Sequence, residues 1–140
     1  MYRYIIIFAL AFMSVGFAPE KAVSKGITFF KGSWTEALFE AKNADKYIFV
    51  DVYAKWCGPC KQLKRVTFKD KAVGDYYNKN FINVTMNGET EEGVAFLRAY
   101  GITSYPTLLI VRSDGKIMAR AEGFMKPYIL INFGRRVVPL

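Results

Sequence analysis

Apolar and polar positions along this chain switch between two periods, and the switches mark its elements. Tyr47-Ile48-Phe49-Val50-Asp51-Val52-Tyr53 is a nearly continuous apolar, β-branched run, the pattern of a strand buried on both faces. Phe81-Ile82-Asn83-Val84-Thr85-Met86 predicts a second strand, and Ile27-Thr28-Phe29-Phe30 a short one. Thr107-Leu108-Leu109-Ile110-Val111 faces Lys116 to Ala121 across Ser113-Asp114-Gly115, a hairpin signature. Helical spacing takes over between these runs. Ser33-Trp34-Thr35-Glu36 is a capping box opening a helix through Ala37, Leu38 and Ala41. A second helix starts at Cys57, where the leucine and lysine spacing of Lys61-Gln62-Leu63-Lys64-Arg65-Val66 fits an amphipathic helix, and a shorter one covers Asp70 to Asn80. Glu91 to Tyr100 is helical with Gly101 as its stop, and Met125 to Arg136 closes the chain as a helix. Helices alternating with strands and ending in a hairpin predict an α/β fold, a central mixed sheet flanked by helices on both faces.

The chain has 140 residues, enough for one domain with a real core, and 52% of them are hydrophobic. The amino-terminal segment contributes part of that figure. Tyr4 to Phe17 is an apolar stretch preceded by Arg3 as its single charge, and it is shorter than the roughly 20 residues a spanning helix needs. It reads as an export signal over residues 1–18, with Gly16-Phe17-Ala18 as the cleavage site and Ser14-Val15-Gly16 as a fallback. Residues 19–26 are then a lead-in and 27–140 the folded domain. An uncleaved anchor is the competing reading of the same stretch. Net charge is +8, concentrated at Lys55, Lys61, Lys64, Arg65, Lys69 and Lys71. The preferred reading is a solvated helix face that also favours acidic partners. No basic-aromatic platform or known basic motif is present, so nucleic acid is not an expected partner.

The chain's two cysteines sit together in Trp56-Cys57-Gly58-Pro59-Cys60-Lys61, where a strand hands over to a helix. A structural disulfide is a weak alternative, because a loop this short contributes roughly 2 kcal/mol against almost 5 for a hundred-residue loop. A zinc site normally needs four Cys or His ligands, and the chain has no histidine. No metal and no bound cofactor are therefore expected, and the pair reads as a redox dithiol. Cys57 at a helix start meets unpaired N–H groups and the positive end of the dipole, which stabilise a thiolate. Pro59 falls in the first turn, where its missing N–H costs nothing. Asp51 is the one charge-capable residue inside the Tyr47 to Tyr53 strand. Burial there would push its pKa upward, unless it is a hydrogen-bonded structural carboxylate.

The block Val50 to Lys61 resembles the active-site segment of thioredoxins. Gly101-Ile102-Thr103-Ser104-Tyr105-Pro106-Thr107 is similar to their proline loop, and Gly123 follows at the matching place. The likeness runs from about Ile27 to Phe133. The capped first helix and Val66-Thr67-Phe68-Lys69-Asp70 look closer to exported family members, including the C-terminal domain of the membrane disulfide reductase DsbD. The resemblance implies a thioredoxin fold and a thiol–disulfide oxidoreductase. Cys57 would be the attacking thiol, Cys60 the resolving thiol and Asp51 its proton acceptor. Tyr105-Pro106 would be a cis bond whose backbone grips an extended substrate, with Trp56, Gly58, Pro59, Gly123 and Phe124 around it. One position departs from the pattern: Thr85 stands where thioredoxins usually carry a lysine near that aspartate. The Gly-Pro spacer resembles that of reducing members, so disulfide-containing proteins are the implied substrates and a membrane reductase the electron donor. The expected protein is a monomer exported to the bacterial periplasm. Net oxidation or isomerisation by the same residues is the alternative, as is a non-enzymatic peptide-binding module with a redox switch.

Overall fold

The structure is a computed structural model, and it describes residues 25–140. The expected export signal and residues 19–24 of the lead-in lie outside the described residues. Five helices and four strands follow in the order α1 (Trp34–Ala44), β1 (Tyr47–Tyr53), α2 (Gly58–Gln62), α3 (Lys71–Asn80), β2 (Phe81–Asn87), α4 (Glu91–Tyr100), β3 (Thr107–Val111), β4 (Ile117–Glu122) and α5 (Pro127–Arg135). The sheet order is β2-β1-β3-β4, with β1 parallel to β2 and the β1–β3 and β3–β4 pairs antiparallel. It is the mixed sheet that the pattern predicts.

Strand alternation sorts the central residues into two cores. Ile48, Val50 and Val52 point to one face and pack with Val84, Met86, Leu109, Val111, Ala37 and Ala41 of α1 and Phe96 of α4. Phe49 points to the other, where Leu108 and Ile110 meet Leu63, Val73, Tyr77, Leu130 and Phe133 from the helices after the cysteines, α3 and α5. The Tyr77 hydroxyl donates to the Leu130 carbonyl at 2.7 Å, so the buried phenol is satisfied. Both faces are covered, and β1 is apolar throughout except at Asp51.

Helix caps fall where the sequence puts them. Ser33 and Glu36 form the reciprocal capping box of α1. Gly101 ends α4 with φ of 61°, a left-handed turn that glycine adopts without penalty.

Two local expectations change. Ile27 to Phe30 is extended but forms no ladder. Its amides reach the Phe68 carbonyl (2.7 Å), the Asn78 side chain (2.8 Å) and the Asn83 carbonyl (2.7 Å), which lie in the turn before α3, on α3 and on β2. Its apolar pattern serves to wrap the sheet's edge, since Phe30 joins the first core and Phe29 the second. The helix after the cysteines also changes pitch. From Leu63 to Thr67 it is a π turn, with the Phe68 amide bonded to the Leu63 carbonyl at 2.9 Å. Leu63 stays buried while Val66 turns outward.

Candidate active site

Ala54 to Trp56 lead from the end of β1 to Cys57, the N-cap of α2, whose Sγ accepts the Cys60 amide at 3.2 Å. Pro59 occupies the first turn, and the Cys57 carbonyl accepts the Lys61 amide at 3.2 Å. Cys57 and Cys60 are joined as a disulfide, with Cα atoms 5.3 Å apart. They are 3% and 1% exposed and pack with Ala54 between Tyr53 and Tyr105. The geometry brings one helix-terminal N–H directly to Cys57, where it favours a thiolate once the disulfide opens.

The surface beside the pair is open. Trp56 is 70% exposed, and a side chain added at Gly58 or Gly123 would meet nothing. The Tyr105–Pro106 bond is cis, and the Gly123 amide donates to the Pro106 carbonyl at 2.9 Å, joining two expected rim residues. The Tyr105 ring meets Trp56 edge to face at 5.8 Å and lies on the backbone of Gly88, where any β-carbon would collide with it. Phe124 behaves differently from the other rim residues: it is half-buried against the second core.

Asp51 lies inside the domain, two residues before Tyr53 on β1. It pairs in register with Thr85 on β2 and Leu108 on β3 and is fully buried. Neither carboxylate oxygen has a hydrogen-bond partner among the described residues. Desolvation pushes its pKa up to about 7, and the positive charge of Lys64 pulls in the other direction. Lys64 is itself held below the ordinary lysine range by partial burial, against the attraction of Asp51. Its Nζ sits over the Tyr53 ring, 3.1 Å from the centroid.

Of the expected site residues, Tyr105 packs against the disulfide and meets Trp56, Gly123 is bonded to Pro106, Asp51 lies buried on β1, and Phe124 packs on the second core. Two neighbours have no counterpart among them. Glu89 Oε1 accepts the Lys55 amide at 2.9 Å, steadying the loop before Trp56. Nothing in the local sequence of Glu89 signals that contact. Lys64 approaches Asp51 from the helix that carries the cysteines, and its spacing of four from Cys60 is the signal that would have found it.

A family model described as a thioredoxin-like domain matches residues 34–137. Thioredoxin of Bacillus subtilis is 34% identical over 91 residues, covering 64% of this chain and 81% of that protein. DsbD of Pseudoalteromonas atlantica is 34% identical over 95 residues, which is 65% of this chain but 16% of DsbD. Among solved structures, a candidate disulphide-isomerase from Bacteroides thetaiotaomicron matches with a TM-score of 0.72 and 41% identity, over 83% of this chain and 96% of that one. The oxidised C-terminal domain of Neisseria meningitidis DsbD matches with a TM-score of 0.60 and 28% identity, over 78% of this chain and 98% of that domain.

Proposed function

This chain belongs to the thioredoxin-like family of thiol–disulfide oxidoreductases, and from that premise we propose that it reduces protein disulfides in an exported setting. The observation that carries the reading is the disulfide at the N-terminus of α2, beside an exposed Trp56, in a domain whose central strand buries the Asp51 carboxyl group. The Cys57 thiolate attacks a substrate disulfide, and one substrate sulfur leaves as a thiolate. Cys60 then gives its proton to Asp51 and attacks the Cys57 sulfur, which releases the second substrate sulfur. Two electrons have passed to the substrate, and the Cys57–Cys60 disulfide remains. Trp56, Gly58, Pro59, Gly123 and the Tyr105-Pro106 backbone hold the extended substrate over the pair.

The reducing direction rests on charge. An ionised Asp51 behind the pair opposes a second negative charge there, which favours the disulfide over the thiolate and makes the dithiol the better donor. The Gly58-Pro59 spacer, shared with reducing family members, supports the same direction. A membrane reductase would return the electrons, in keeping with the likeness to DsbD domains. The enzyme acts as a monomer, with residues 27–140 as the catalytic domain and residues 1–18 as an export signal to the periplasm. Its mature form begins between Phe17 and Glu20, which N-terminal sequencing of protein recovered outside the cytoplasm checks.

Equilibration with glutathione tests the direction. A potential at or below about −250 mV is expected, whereas a value near −180 mV or above turns the reading toward oxidation or isomerisation. The likeness to a candidate disulphide-isomerase keeps the second outcome concrete.

A further inference from the structure

We infer that Lys64 is a positioning residue that sets the charge state of Asp51, its ammonium supplying from the cysteine-bearing helix a positive field that the strand partners of the buried carboxyl group lack. The inference rests on the proposed role of Asp51 for its consequence in the reaction, while the coupling itself stands on geometry. Asp51 and Tyr53 are two residues apart on β1 and so share a face. The Lys64 ammonium is pinned over that Tyr53 ring, 3.1 Å from its centroid. Thr85, the register partner of Asp51 on β2, lines the same cleft as Lys64, a space of about 380 Å³. Both oxygens of Asp51 lack a hydrogen-bond partner among the described residues, so burial, and against it nearby charge, sets its protonation.

The groups facing Asp51 can be taken element by element. The β3 partner is Leu108 and the β2 partner Thr85, neither of which carries charge. Tyr53 comes from β1, and Cys60 and Lys64 from α2 and its continuation. Lys25 and Lys69 line the cleft but are exposed, where solvent screens them more strongly than half-buried Lys64. The electrostatics agree with this placement, since Asp51 and Lys64 each shift the other toward its charged form. In the reaction, a positive charge here raises the ionised fraction of Asp51 near neutral pH, the form that can receive the Cys60 proton.

The test is a carboxyl carbon NMR titration of Asp51 in the oxidised, folded protein, paired with the pH profile of mixed-disulfide resolution. Lys64→Met keeps the aliphatic stem and removes the charge. It should raise the Asp51 midpoint by about one pH unit, the low end expected for a nearby opposite charge. The resolution profile should move up by the same amount. Lys64→Arg should leave both nearly in place, and adding Thr85→Lys to Lys64→Met should bring both back down. Lys42→Met, which removes an exposed charge from remote α1, should move neither. An Asp51 midpoint in Lys64→Met equal to that of the wild type overturns the inference, whatever the kinetics. A shifted midpoint combined with normal resolution in Asp51→Asn upholds the coupling and overturns the base role instead. Should Lys64→Met lose its folded amide spectrum, Lys64→Gln carries the same comparison.

Discussion

The rim around the disulfide and the strand that carries Asp51 are built on opposite principles. At the rim, Trp56, Gly58 and Gly123 present an open surface, where the proposed mechanism seats a substrate by shape and backbone contact. Inside the domain, neither carboxylate oxygen of Asp51 has a hydrogen-bond partner among the described residues, and Lys64 is a charge near enough to shift it. If the proposed roles hold, the difference teaches that the half-reactions are controlled separately. Attack would depend on access and on the helix terminus, resolution on a proton transfer where low dielectric magnifies each charge.

The strongest break in the comparison is all-or-none. Cys57→Ser should abolish attack, whereas Cys60→Ser should leave attack intact and accumulate a mixed disulfide through Cys57, seen as a mass adduct on incubation with a disulfide substrate. Faster iodoacetamide labelling of Cys60 than of Cys57 in the reduced protein would reverse these roles.

Stability separates the interior side from the rim. The raised pKa of Asp51 has a definite sign in linkage. Below the ordinary aspartate range both folded and unfolded chains hold the proton, and burial costs nothing. Between that range and about 7 only the folded state keeps it, so stability falls as pH rises, and the cost is complete above about 7. Asp51→Asn should therefore stabilise the fold at pH 8 by about 2 kcal/mol, the roughly 4 kcal/mol of relieved charge burial less about 2 for an unbonded buried amide, and should destabilise it by about 2 kcal/mol near pH 4, where only the amide cost remains. Urea denaturation at the two pH values reads this directly.

On the rim, Trp56→Ala should lower kcat/KM for a protein disulfide about tenfold, as loss of an exposed aromatic anchor does. It should leave a small-molecule disulfide nearly unaffected. Smallest is a change remote from both sides. Ser33→Ala removes the α1 capping box and should cost about 1 kcal/mol of stability without moving the reduction potential.

Legibility in the sequence followed the reach of each interaction. Caps, the β1 strand and the hairpin depend on residues within a few positions of one another, and they stand where the pattern puts them. The cysteines and Asp51 were visible because each violates its surroundings: paired thiols in a chain with no others, and a carboxylate in an apolar run. Ile27 to Phe30 misled because an extended segment that sends Phe29 and Phe30 to opposite cores has a strand's alternation without its ladder. The π turn left no trace, since its shifted hydrogen bond changes backbone register and not hydrophobic pattern. Lys64 was hidden among neighbouring basic residues that read as one solvated face, its spacing of four from Cys60 being the one local sign, and tertiary packing singles it out.

The separate control of the two half-reactions is tested most directly by stopped-flow reduction of a model disulfide, wild type against Asp51→Asn across pH. Attack by Cys57 should be nearly equal in the two proteins. Resolution in the variant should be about tenfold slower at pH 7, the low end of a general-base effect. The deficit should shrink as pH rises and Cys60 loses its proton without help. Equal resolution rates at neutral pH would contradict the account and leave Asp51 a structural residue.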